Sequence, residues 1–261
     1  FLKGKLVINL SGSRVVITGA GGGIGSTMCD TFSAAGAEVV GCDLASAEFR
    51  PNCAETFEFD FLDRDAVSRA ADAILSRGTP SIVILNAGWT KAATLASMTE
   101  NDLDHEMAGN FTASALFCLK LLPMMRTLQG DRSFVFTSSV NALVHFGNPA
   151  YSAAKAAGMA WMRALAVEEG TNGIRANAVI PASTQTPAWN VRMKADPGIL
   201  NRLSRLYPLG RIVTAQEVAN AALFLASPLA TGITGTSITV DAGLSAGNLP
   251  TMEAIAEAAK E

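Results

Sequence analysis

Short apolar runs rich in β-branched residues recur along the chain, at positions 14–18, 38–42, 56–60, 81–86, 133–137, 175–180 and 237–240. Each is long enough for a strand and too short for a helix. The intervals carry longer amphipathic stretches, at 24–35, 63–76, 100–128, 150–169 and 215–226. Strand and helix therefore alternate, and near-continuously apolar strands predict an α/β fold: a doubly wound, seven-stranded parallel sheet with helices on both faces. In such sheets crossovers are right-handed and ligands bind outside the carboxyl ends of the strands. No repeat, linker or compositional break divides the 261 residues, so a single domain over 1–261 is expected. Two stretches break the alternation. Residues 184–209, with Trp189, Pro197 and Pro208, read as a helical excursion over the site, a lid for substrate. Residues 244–261 read as an extension whose alanine- and glutamate-rich end, 252–260, predicts a short helix packed on the body or on a second subunit.

Composition narrows the function classes. The chain is 49% hydrophobic and 16% charged with a net charge of −3, which suits one large buried core. No long basic block is present, so neither nucleic acid nor a membrane surface is an expected partner. No apolar run reads as a membrane span, and the first residues do not read as a secretory leader. Four cysteines without a CxxC pair, accompanied by two histidines, suggest no metal and no disulfide framework, and a cytoplasmic setting.

The chemistry begins at the first strand-to-helix junction, where Gly19, Gly21, Gly22, Gly23, Ile24 and Gly25 stand in the run TGAGGGIG. Glycines there let backbone N–H groups at a helix N-terminus approach a pyrophosphate, although a tight turn alone would use them equally well. Asp43 closes the second strand eighteen residues beyond Gly25, where a carboxylate can accept from the ribose hydroxyls of a dinucleotide and repel a 2′-phosphate. That selects NAD over NADP, and no lysine or arginine lies among residues 21–23 or just after Asp43 to receive the phosphate. The other reading of Asp43 is a solvated strand-end carboxylate.

Tyr151 and Lys155 are four apart in YSAAK and share a helix face. A phenol with a pKa near 10 needs help to exchange protons at neutral pH. An ammonium about 4 Å away, at an effective dielectric near 20, contributes about 4 kcal/mol, enough to bring that pKa towards about 7.

With these motifs in order, and with Asn86-Ala87-Gly88, Asn110 and Ser138 between them, the chain resembles the short-chain dehydrogenase/reductase family over residues 10–243. The resemblance implies a Rossmann-like fold and an NAD-dependent enzyme acting on a secondary alcohol or ketone. Ser138 would hold the substrate oxygen, with Ser139 as the alternative. Tyr151 would transfer the proton, Lys155 would lower its pKa and bind the nicotinamide ribose, and Asn110 would hold a water extending the relay. Asp60 and Phe61 would meet adenine; Asn86, Ala87 and Gly88 the adenosine ribose; and Pro181 and Thr186 the nicotinamide carboxamide. Two departures from the family pattern stand out, Pro181-Ala182 for Pro-Gly and Asp241-Ala242-Gly243 for Asp-Gly-Gly, for which a local backbone adjustment is expected. Substrate contacts are sought among Trp89, Asn141, His145, Trp189, Asn190, Arg192 and Met193, a set that suits a sugar, polyol or hydroxy acid. The small, apolar 150–169 helix and the family's habit of pairing it across two-fold axes suggest a homotetramer. A carrier-protein-dependent ketoreductase and a non-catalytic dinucleotide-binding scaffold are the alternatives.

Overall fold

The computed structural model of the chain describes residues 8–90 and 93–259; the side chains of Ala188, Asn190 and Val191 lie outside that description. Seven strands form one parallel sheet: β1 (Arg14–Thr18), β2 (Glu38–Asp43), β3 (Glu55–Glu58), β4 (Ile82–Leu85), β5 (Arg132–Thr137), β6 (Ile174–Pro181) and β9 (Ser237–Val240), in the order β3-β2-β1-β4-β5-β6-β9. β1, β4, β5 and β6 are buried along their whole length, which explains why each carries apolar residues at consecutive positions, 15–17, 82–85, 134–136 and 178–180, rather than in strict alternation.

The helices cover both faces. One apolar cluster joins the sheet to α2 (Arg64–Arg77), α4 (Ala113–Met125) and α5 (Pro149–Glu168); the other joins it to α1 (Gly23–Ala34) and α8 (Ala215–Ala226). Strand order reverses between β1 and β4, and this switch point opens a crevice at the carboxyl ends. Thr18 fixes its floor: its Oγ1 accepts from the backbone N–H groups of Asn86 and Ala87, both at 2.9 Å.

The helix expected over 100–128 is α3 (Glu100–Met107) running into α4 through a π-helical turn at Ala108–Thr112. From Glu100 to Met125 it is long and apolar enough to cross a membrane by length and composition, contrary to the sequence reading, but α4 packs its apolar side into the core beside α2. The lid region forms α6 (Pro187–Ala195) and α7 (Ile199–Ser204), bracketed by the short parallel pair β7 (Thr184–Gln185) and β8 (Val213–Thr214). The terminal helix α9 (Leu249–Ala258) begins earlier than expected; Leu249 is half-buried and the remaining residues are exposed.

Candidate active site

The glycine turn is shaped by close backbone approach. A Cβ at Gly25 would lie 1.9 Å from the Gly19 carbonyl oxygen, so the turn closes only with glycine there. Gly21 is used differently: its N–H donates to Asp43 Oδ2 at 2.8 Å, while Leu44 N–H donates to Oδ1 at 2.8 Å. The carboxylate is thereby locked at the end of β2.

From there a groove of about 500 Å³ runs past Gly19, Gly22, Gly23, Ile24, Gly25, Asp43, Asp60 and Phe61 to Asn86, Ala87, Gly88 and Thr186. Its lining contains four glycines of this one turn, an acid for a ribose and, among the described residues, no lysine or arginine. The groove continues into a crevice of about 280 Å³ that shares Ile24, Asn86, Gly88, Trp89 and Thr186 and adds Ser138, Ser139, Tyr151, Lys155 and Pro181. Asn86 Oδ1, Thr90 Oγ1 and Thr137 Oγ1, all on this crevice's wall residues, are buried without a hydrogen-bond partner among the described residues. Buried polar atoms are normally satisfied. These orphans and the glycine cradle fit a dinucleotide, which the same residues would hold.

Tyr151 enters the crevice because α5 starts abruptly. Asn148 takes the left-handed conformation (φ 54°), Pro149 occupies the first helical position, and Tyr151 falls on the first turn. Asn148 also pins the loop after β4, accepting from Ala93 N–H at 2.8 Å through its side chain. One turn on, the Lys155 ammonium is buried and donates to the Thr137 carbonyl at 3.0 Å.

Two sequence expectations need correction here. Ser138 is not the serine that serves the phenol: its hydroxyl is buried and donates to the Lys155 carbonyl at 3.4 Å. The next residue along an extended chain points the other way. Ser139 is that residue; its hydroxyl is the side-chain group that draws the Tyr151 phenol downward in pKa, while it donates to Asn141 Oδ1 at 3.4 Å and accepts from Asn141 N–H at 3.2 Å. The second correction is electrostatic. Lys155 Nζ sits 5.6 Å from the centre of the Tyr151 ring, turned towards Thr137. Burial pushes the phenol above its usual pKa, the Ser139 hydroxyl pulls the other way, and the Glu106 carboxylate adds to the rise. Burial lowers Lys155 to about 8, while Glu106 opposes that shift.

Asn110 lies in the π-helical turn and clasps the backbone of Trp89 from both sides, its Oδ1 accepting from Trp89 N–H at 3.1 Å and its Nδ2 donating to Trp89 O at 2.6 Å. A Cβ at Gly88 would meet Asn110 Oδ1 at 2.8 Å and Lys155 Nζ at 3.0 Å, so glycine here lets the two relay groups face one another.

The proposed substrate contacts separate. Trp89 and Trp189 line the crevice with Arg192, whose guanidinium stacks over the Trp189 ring at 4.9 Å. Asn141 instead ties down its own loop, donating to Gly147 O at 2.7 Å. His145 is exposed, and neither it nor Met193 lines the crevice. Asn190 lies on α6 with its side chain outside the described residues. Sequence reasoning missed Glu106, one helical turn before Asn110; the four-residue spacing was the available signal. Among the described residues no group of His, Cys, Asp and Glu is gathered to hold a metal ion.

A family model described as enoyl-(acyl carrier protein) reductase matches residues 19–245. An uncharacterized oxidoreductase of Schizosaccharomyces pombe is 35% identical over 242 residues, covering 92% of this chain and 94% of that protein. Among solved structures, an oxidoreductase of the short-chain dehydrogenase/reductase family from Burkholderia thailandensis is 34% identical with a TM-score of 0.84, covering 94% of this chain and 97% of that one. A short-chain oxidoreductase from Pseudomonas aeruginosa, solved with NADPH bound, is 29% identical with a TM-score of 0.85, covering 92% and 99%. Sequence and fold thus agree over almost the whole chain, which belongs to the short-chain dehydrogenase/reductase family of oxidoreductases.

Proposed function

We propose that the protein is an NAD-dependent oxidoreductase acting on the carbinol or carbonyl carbon of a small secondary alcohol or ketone, with Tyr151 as general acid/base. The observation that carries this reading is the meeting of Tyr151, Ser139 and Lys155 at one crevice, continuous with the glycine-turn groove that Asn110 lines. The dinucleotide supplies the hydride chemistry when bound.

The chain's own groups supply the rest. The Ser139 hydroxyl holds the substrate oxygen beside the phenol. Tyr151 gives that oxygen a proton in reduction or takes one in oxidation. Lys155, with its pKa near 8, is mostly protonated at neutral pH and so offers a positive charge to a developing phenolate. Asn110 braces the Trp89 wall and holds the far side of the relay.

Asp43 supports NAD over NADP. Its carboxylate is fixed by two backbone N–H groups, and the described residues lining the groove around it include no lysine or arginine to accept a 2′-phosphate. A sugar, polyol or hydroxy acid fits the crevice, and Arg192, in a lining that contains no carboxylate, favours the hydroxy acid. A relative from Thermotoga maritima named as a 3-oxoacyl-[acyl-carrier-protein] reductase, 32% identical over 251 residues, supports a second reading, reduction of a 3-oxoacyl chain on a carrier protein. A homotetramer belongs to the same reading, and Leu119 on α4 and Val167 on α5 leave apolar side chains exposed.

The test is a panel of sugars, polyols, hydroxy acids, secondary alcohols and 3-hydroxyacyl thioesters, assayed for reduced nicotinamide with NAD and NADP in parallel. Turnover with NAD on a hydroxy acid is the expected result; faster turnover with NADP would overturn the reading of Asp43.

A further inference from the structure

Two opposite charges are buried on either side of Asn110, whose Nδ2 meets Glu106 and whose Oδ1 shares the space over Gly88 with Lys155 Nζ, and only one of them has a role so far. Lys155 and Glu106 are 6% and 5% exposed. Burying an ammonium is costly unless a counter-charge or several hydrogen bonds compensate it. Lys155 has one hydrogen bond within the described residues, to the Thr137 carbonyl.

Three carboxylates are buried among the described residues: Glu106, Glu169 and Asp241. Glu169 is paired with Arg126, and Asp241 accepts from Gly243 and Ser245. Glu106 is the one that acts on the relay. Its Oε2 accepts from Asn110 Nδ2 at 2.7 Å, and its backbone carbonyl accepts from the same nitrogen at 3.2 Å. It also lines a separate cavity of about 180 Å³ that reaches Tyr151 on its far side.

We infer that Glu106 is a positioning residue of the relay: its carboxylate holds the Asn110 side chain in place and provides the negative charge that balances the buried Lys155 ammonium. The inference rests on the oxidoreductase reading for its consequence in turnover, but not for the charge coupling itself. The titratable groups that face Glu106 among the described residues are Asp102 and His105 from its own helix and Tyr151 and Lys155 from α5. The negative charge of Glu106 raises the pKa of both Lys155 and Tyr151.

Glu106→Gln isolates the charge, because a glutamine oxygen still accepts from Asn110. In the ligand-free protein, a ¹³C-lysine Cε NMR titration should give wild-type Lys155 a midpoint near 8. In the variant the midpoint should fall by about one pH unit, a tenfold change in acidity. With cofactor and substrate, both limbs of the pH–rate profile should move to lower pH, because losing a negative charge makes phenol and ammonium alike more acidic. An unmoved Lys155 midpoint would overturn the inference, even if the rate fell. If no substrate in the panel turns over, the NMR titration still decides the coupling. Should the glutamine variant fail to fold, Glu106→Asp keeps the charge and must leave Lys155 titrating near the wild-type midpoint; a fall as large as that expected for glutamine would contradict the inference.

Discussion

Ser138 and Ser139 are adjacent, identical in type and opposite in use. One hydroxyl is spent on the α5 backbone and the other meets the phenol. Ser139→Ala should therefore lower kcat by two orders of magnitude or more, as loss of a hydrogen-bond donor at the reacting oxygen does. Ser138→Ala should keep kcat within a few-fold, and steady-state kinetics on both variants separates the two roles. The sequence could identify the pair but not choose within it. That choice depends on which hydroxyl the end of β5 turns towards Tyr151, a side-chain direction that spacing along the chain does not specify. The Tyr151 and Lys155 pairing was legible from helix periodicity. The sign of the phenol's own shift was not, because burial, which raises it, depends on everything packed around the ring.

The π-helical turn between α3 and α4 and the abrupt start of α5 bring Asn110, Tyr151 and Lys155 to a common point. Periodicity marked one long helix there, but the extra residue per turn left no sequence signature. The turn after β9 shows a second element-level departure. Ala242 adopts a left-handed conformation (φ 51°), so alanine has been accepted in a backbone shape that favours glycine. The same peptide anchors the end of the lid, its carbonyl accepting from Leu209 N–H at 3.1 Å. A left-handed alanine costs about 1–2 kcal/mol, partly offset by the greater unfolded-state freedom of glycine. Ala242→Gly should therefore stabilise the fold by about 0.5–1 kcal/mol, readable as a higher midpoint in urea unfolding with an unchanged slope.

At the scale of the molecule, one sheet with its order reversed between β1 and β4 gathers the glycine turn, Asp43, the Asn86 run and the relay at its carboxyl edge. This much followed from alternation and from the order of the motifs. The contacts of segment 184–209 did not follow: Trp189 and Tyr207 are both buried in the α1 and α8 cluster, and Trp189 lines the crevice as well. Burying Lys155 also leaves a mark on global stability. Its folded pKa of about 8 lies below the ordinary lysine value of 10.5, so between those pH values the unfolded chain binds more protons and stability rises with pH. The contribution is roughly 1 kcal/mol per pH unit in that window. Chemical denaturation of the ligand-free protein from pH 8 to 9.5 should show this rise, and Lys155→Met should reduce it.

The central claim is that Tyr151 moves the proton at a crevice that binds NAD through other groups. Tyr151→Phe keeps the ring and removes only the hydroxyl. Its affinity for NADH, followed by quenching of protein fluorescence, should stay within about threefold of wild type, while single-turnover hydride transfer to the panel's best substrate should slow by about 10³-fold or more. Hydride transfer at a near-normal rate in this variant would contradict the account.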